Sequence, residues 1–227
     1  MKKSVFYTEL SYVFGMLILA LGFAMMTYAD FGLSMVVAPA YLLHLKVSQY
    51  LPFFSFGTAE YTMQAVLLTA MCLVLRRFRL SYLFSFVTAV LYGFTLDGSL
   101  LLLSFIPADS MAVRIVYYVL GMVLCSVGVA LFFRTYIAPE VYELFVKELA
   151  AKLGACIPTV KTIYDCASCG IAIVLSFVFF GLWHLEGVGW GTVVCALING
   201  KLISWISAWL KKRFEFRDGK NWRKYFE

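Results

Sequence analysis

The sequence predicts an all-α polytopic membrane protein, with six transmembrane helices in two inverted three-helix repeats, each repeat carrying a short amphipathic or re-entrant helix. Three observations lead there. The chain is 63% hydrophobic and only 14% charged, far from the composition of a soluble domain. Its apolar residues fall in runs of about 20, the length that spans a hydrocarbon core of roughly 30 Å. And the run FGMLILALGFAMM at 14–26 returns as LGMVLCSVGVALF at 120–132, with Gly15 on Gly121, Met16 on Met122, Gly22 on Gly128 and Ala24 on Ala130. The same register carries Leu43 onto Leu149, Lys46 onto Lys152 and Pro52 onto Pro158, and with a small drift Tyr61 onto Tyr164 and Gly93 onto Gly200. Order kept over a whole half of the chain indicates duplication.

The first helix is expected over 10–29 and is broken at Asp30-Phe31-Gly32-Leu33-Ser34. Its long apolar run and its mid-chain copy favour a retained helix over a cleaved signal after Met1-Lys2-Lys3. The stretch 35–45 contains Pro39 and is too short to cross alone, so it lies at the outer side or re-enters the bilayer. The second helix is expected over 58–75, closed by Arg76-Arg77-Phe78-Arg79, and the third over 80–105, before the turn Pro107-Ala108-Asp109. The second half repeats the plan with helices at 112–133, 159–182 and 189–210. Between the first two of these, Pro139 suits the start of a short helix over 140–153. Its Glu143/Lys147 and Glu148/Lys152 spacings fit i,i+4 pairs, and its opposite apolar face reads as an amphipathic helix at the membrane surface. The chain thus divides into 1–107, 108–210 and a basic tail over 211–227.

With the N-terminus inside, sixteen of the nineteen Lys and Arg fall on inner segments, which places both termini in the cytoplasm of a cell with this as its cytoplasmic membrane. Three crossings per half then make the halves inverted about an axis in the membrane plane, a recurrent plan of secondary transporters, in which substrates bind near the midplane at broken helices. The net charge of +6 is accounted for by topology, and no nucleic-acid motif accompanies it. The tail, with Lys211, Lys212, Arg213, Arg217, Arg223 and Lys224 among Phe214, Phe216, Trp222 and Tyr225, suits anionic inner-leaflet lipid as well as it suits plain topology.

Candidate substrate-binding residues come from the breaks and from ionisable groups at membrane depth. The breaks contribute Asp30 and Ser34 in one half, Arg134 and Glu140 in the other. Lys201 is the deepest cation, roughly 15 Å from the inner end of its helix, beside Asn199 and Gly200. Asp97 lies nearer the outer interface, offset by roughly 11 Å from Lys201, too far for a direct pair. Glu60 and Tyr61 open the second helix; Lys161, Tyr164 and Asp165 open the fifth, with Lys161 and Asp165 four apart and able to pair. These two groups read either as gates flanking a central cavity, or a proton or cation site, or as ordinary interfacial caps and anchors.

The six cysteines sit mostly in apolar helices and imply no disulfide framework; Cys166-Ala167-Ser168-Cys169 lies two turns inside a helix, without the histidines or second CxxC of a zinc or thiol-exchange site. The only histidines are His44 and His184. No catalytic constellation, metal cluster or phosphate-binding loop is present in the sequence, so the expectation is no enzyme, no cofactor and no metal.

The segments LGFAMMTYADFGLSMVVAPAYLL, VGVALFFRTYIAPEVYELFVKELA, VKTIYD and GVGWGTVVCALINGKLI resemble the bacterial YczE/YyaS/YitT-like integral membrane proteins over nearly the whole chain except the tail. That family carries a Gly-hydrophobic-Ser/Gly-Pro-x-Asp turn after helices 1 and 4. Here 32–37 lacks the Pro and Asp, and 137–142 carries Glu140. The Gly-rich start of the last helix, 187–192, fits better. The resemblance implies the fold and, from transporter-like members, vitamin-like substrates. The expectation is an alternating-access transporter of a small polar molecule, with room for a homo-oligomer. The alternative is a non-transporting scaffold that binds a partner through 140–153 and the tail, and a membrane-embedded enzyme ranks last.

Overall fold

The computed structural model describes residues 4–54, 56–106, 110–181 and 187–219. The turn at 107–109, His184 and the tail residues Trp222, Arg223, Lys224 and Tyr225 lie outside the described residues. In chain order a short strand β1 (Ser4–Tyr7) leads into α1 (Thr8–Ala29), followed by α2 (Ala38–Val47) and α3 (Phe56–Leu75). A 3-10 turn (Leu80–Leu83) precedes α4 (Phe84–Ser104) and α5 (Met111–Phe132). Then come α6 (Val141–Leu153), α7 (Ile157–Phe180), α8 (Trp190–Arg213) and a second strand, β2 (Phe214–Arg217). Six of the helices, α1, α3, α4, α5, α7 and α8, are long and apolar enough to cross a membrane. The chain is a helical multi-pass membrane protein.

The centre of the bundle is the antiparallel pair α1 and α5. Glycines let the two backbones touch. A Cβ on Gly22 would stand 2.7 Å from the Cys125 nitrogen and 2.8 Å from the Gly121 carbonyl oxygen; a Cβ on Gly121 would stand 2.6 Å from the Gly22 carbonyl oxygen. One crossing further along, Gly128 meets Gly15 in the same way, at 2.8 Å. Lipid gives no hydrophobic drive for helix association, so close backbone approach of small residues supplies the attraction through dispersion. Met16, Leu19, Val129 and Phe132 fill the remainder of this seam. α4 flanks α1, and α8 flanks α5. The short helices cross over between halves: α2 packs on α3 and α7, and α6 packs on α3, α4 and α7.

Helix ends follow local chemistry. Asp30 adopts a left-handed conformation (φ 54°) and its amide donates to the Thr27 carbonyl at 3.2 Å, ending α1. Ser110 accepts from the Val113 amide at 3.3 Å, starting α5. The irregular segment after α1 lies against the start of α8: the Leu33 amide donates to the Gly187 carbonyl, the Gly191 amide to the Phe31 carbonyl and the Thr192 hydroxyl to the Leu33 carbonyl. Gly32, at φ 107°, approaches Gly189 so closely that any Cβ would fall 2.3 Å from its nitrogen. Non-helical backbone at this depth is thereby satisfied by protein.

Three expectations need correction. The helix α6 does not lie on the bundle surface. Val141 and Val146 are fully buried and Glu143 is 6% exposed, because its charged side chains find partners inside and on neighbouring elements: Glu143 with Lys161, Glu148 with Arg77, Lys147 with the Thr135 carbonyl and Lys152 with the Val74 carbonyl. The described part of the tail adds a strand to the all-α plan. β2 pairs in parallel with β1, Ser4 opposite Phe214 and Tyr7 opposite Arg217, since Phe6 packs between Phe214 and Phe216 at 5.5 and 5.8 Å. The structure is therefore all-α apart from this small sheet. The third spanning helix opens with 3-10 geometry, as the Tyr82 amide turns to the Arg79 carbonyl.

Candidate functional site

Two concavities enter the bundle from opposite ends. The larger, about 1000 Å³, opens at the end distant from the chain termini, between α1, α2, α3, α4 and the start of α8. Asp30, Asp97 and Trp190 form its rim, and Glu60 and Gln64, one turn apart on α3, reach its floor beside Tyr92 and Ala89 of α4. The smaller, about 240 Å³, lies at the end carrying the termini and is lined by Arg79, Tyr82, Tyr136, Pro139, Lys147 and Glu148, with Ser81, Ala138 and Leu144. The barrier between them is thin. Ala89 lines the larger cavity, while the neighbouring Thr88 donates at 2.7 Å to the carbonyl of Ala138 in the smaller one and shares a 2.9 Å hydrogen bond with Tyr12.

Behind the floor lies a buried charged cluster. The Lys161 ammonium is 3.0 Å from Asp165 Oδ1 and 3.4 Å from Glu143 Oε1, with Lys161 1%, Asp165 0% and Glu143 6% exposed. Asn199 Nδ2 donates to Asp165 Oδ2 at 3.1 Å, and the Ser126 hydroxyl donates to Asn199 Oδ1 at 2.9 Å. The chain α6–α7–α8–α5 is thus tied through one polar network. The Tyr164 ring lies 5.5 Å from the lysine nitrogen. Glu140, at the start of α6, is buried with Oε1 unpartnered, and burial together with the Glu143 and Glu60 carboxylates holds its carboxyl well above the usual range. Glu60 Oε1 accepts from Gln64 Nε2 at 3.3 Å, the Tyr142 hydroxyl faces the Glu60 carboxyl, and Gln64 Oε1 is buried without a hydrogen-bond partner. Tyr92 links the cavity to the cluster, standing within electrostatic reach of Glu60, Glu140 and Glu143. Glu140, Glu143 and Asp165 surround Lys161, the one buried lysine among the described residues, and Glu60 stands beside Glu143. Full ionisation of such a set is uncompensated, so the arrangement is suited to hold protons or to receive positive charge.

Of the residues singled out in the sequence, Glu60, Glu140, Lys161, Tyr164, Asp165 and Asn199 come together in this region. Lys161 and Asp165 pair as their spacing suggested. Asp30, Tyr61 and Asp97 line the distal cavity; Asp30 pairs with Arg114 at 2.9 Å at the rim, and Asp97 is exposed without an ion-pair partner among the described residues. Three stand elsewhere. Lys201 occupies the exposed face of α8, because Asn199 and Gly200 turn inward toward α5 and α7 and the next residue must point away. Ser34 is buried beside Met35, its hydroxyl 3.8 Å from the sulfur. Arg134 sits near the termini, bonded to the Ser207 carbonyl at 3.2 Å and stacked 5.8 Å from the Phe216 ring.

Sequence reasoning passed over Glu143, Gln64, Ser126 and Tyr142. Glu143 looked like the solvated side of an amphipathic helix; Gln64 carried a signal in its i+4 spacing from Glu60. Among the described residues no three carboxylate, histidine or thiol groups converge as metal ligands, and all six cysteines are free.

Residues 6–208 match a family of unknown function, DUF6198, and the chain belongs to that family. No curated protein and no solved structure matches it.

Proposed function

We propose that this member of the family is a transporter of a small polar molecule, built as two inverted three-helix repeats that expose a central site to either side of the membrane in turn. The observation that carries the reading is the correspondence between the two concavities. The repeat register relates Tyr136, Ala138, Pro139 and Lys147 of the smaller pocket to Asp30, Gly32, Leu33 and Tyr41 of the larger cavity. Arg79 and Ser81 precede α4 as Gly187 and Val188 precede α8. Equivalent parts of the chain thus form a wide concavity at one end and a narrow one at the other, as expected of one state in an alternating cycle. The contacts Gly15–Gly128 and Gly22–Gly121 exchange under the same register, as contacts across a two-fold axis must.

The cation distribution supports a cytoplasmic-membrane location with both termini inside, so that the large cavity faces outward. On this reading the exposed Lys211, Lys212 and Arg213 meet anionic lipid. The kinship with YczE/YyaS/YitT-like proteins belongs to the same proposal. A partner-binding scaffold has less support, because the apolar face of α6 is already occupied within the bundle.

Cysteine accessibility tests the cycle without knowledge of the substrate. In a background lacking native cysteines, Tyr61→Cys reports on the large cavity and Ala138→Cys on the small pocket. Thr88→Val removes the hydroxyl that ties α4 to the Ala138 carbonyl at the narrow pocket. It should raise impermeant-maleimide labelling at 138 from the terminal side and lower it at 61 from the other. Labelling that rises at both positions, or at neither, would sink the alternating-access reading.

A further inference from the structure

We infer that the large cavity takes an organic cation, a protonated or quaternary amine carried on an apolar body; the inference rests on the transport reading only in treating this cavity as the substrate site. Three independent features converge. The charged groups on its described lining are all acidic: Asp30, Glu60 and Asp97, with no Lys, Arg or His. Asp30 is already neutralised by Arg114, which leaves Asp97 at the rim and Glu60 at the floor. The walls between them are aromatic, with Phe31, Tyr41, Phe56, Tyr61, Tyr92 and Trp190, and aromatic faces attract cations while burying an apolar body. Phe31 shows the preference directly, since the Arg114 guanidinium lies 5.3 Å from its ring centroid.

The floor is built to receive a ligand. Gln64 is 3% exposed, lines the cavity and has no hydrogen-bond partner for Oε1, and the Glu60 carboxyl stands beside it. A buried acceptor left without a donor is destabilising. An ammonium N–H donated to Gln64 Oε1 supplies that bond, while a quaternary ammonium is held by the Glu60 charge and the aromatic walls. An anion would meet the Glu60 carboxyl at the floor and no cation on the described lining. A bare metal ion is disfavoured by the ligand set, since no three carboxylate, histidine or thiol groups converge among the described residues. A cavity of about 1000 Å³ has room for an organic body.

The test is equilibrium binding to the purified full chain in lipid nanodiscs, with phenyltrimethylammonium as probe and benzenesulfonate as its anionic counterpart. The cation should bind saturably and the anion should not. Glu60→Gln should weaken the cation at least about tenfold, equivalent to about 1.4 kcal/mol. Asp97→Lys, an exposed change that spares the fold, should slow association at low salt. Cation binding unchanged in both variants marks partition into lipid and overturns the inference. So does equal or tighter binding of benzenesulfonate, or saturable binding of neither probe. Because the accessibility assay at positions 61 and 138 needs no ligand, failure here leaves the alternating-access reading standing, and failure there leaves the charge preference of the cavity standing.

Discussion

Lys161 and Asp165, one helical turn apart on α7, form a 3.0 Å ion pair in which neither side chain reaches solvent. Removing one member of such a pair leaves the other charged and unsolvated. Lys161→Met should therefore lower stability by about 3–5 kcal/mol, read as earlier unfolding in detergent titrations. Lys161→Met combined with Asp165→Asn should recover part of the loss. A single variant as stable as wild type would mean that the pair is not held as the structure has it.

The α1/α5 seam gives the sharpest steric expectation. Gly22→Leu drives a side chain into the α5 backbone and should cost about 1–3 kcal/mol or more, measurable as a fall in melting temperature. Gly98, inside α4, has nothing within 4 Å of a Cβ position, so Gly98→Ala should leave stability unchanged or raise it by up to about 1 kcal/mol. Equal effects at the two positions would contradict the seam.

How much of this was legible beforehand follows from what each residue signals. The glycines of the seam were legible as a duplicated motif but not as a contact, because which faces of α1 and α5 meet is set by packing. Six spans followed from length alone. Lys161 and Asp165 were readable as a pair because an i,i+4 spacing is local. Glu143 was not, since its partner sits on another helix and its own helix shows the alternation of a surface element; only tertiary packing turns that face inward. Lys201 misled for the opposite reason. Depth along a helix is readable from the sequence, but which side faces the bundle depends on the neighbours that Asn199 and Gly200 touch.

Glu140 makes the stability of the protein depend on pH. Its folded carboxyl titrates well above the unfolded value of 4.5, so the folded state holds a proton that the unfolded chain has released. Glu60 and Glu143 face it with like charge, and Lys161 opposes them. The contribution of Glu140 is fully present below about pH 4.5 and is lost as pH rises through the folded value. Glu140→Gln should flatten that decline, leaving the variant more stable than wild type at alkaline pH. Melting curves across pH 5 to 9 would show the two profiles diverging; parallel profiles would refute the assignment.

The strands at the terminal end give a smaller effect. Phe216→Ala removes the packing on Phe6 and the ring stacked by Arg134. A loss of about 1–2 kcal/mol is expected, together with faster hydrogen exchange at the amides of β1. Exchange unchanged at β1 would show that the strand is held by something other than β2.

The pairing of β1 with β2 also bears on how the chain assembles. Thr8 and Asp218, which bond at 2.9 Å beside this sheet, are separated by 210 residues. A ribosome adding about 5–20 residues per second needs on the order of ten to forty seconds to cover that separation. Throughout that interval the strand made first has an open edge and no mate, while each spanning helix can insert as it emerges. Closure of the two strands is therefore the latest step topology permits, and their amides form a natural reporter of whether all six crossings have been threaded in order.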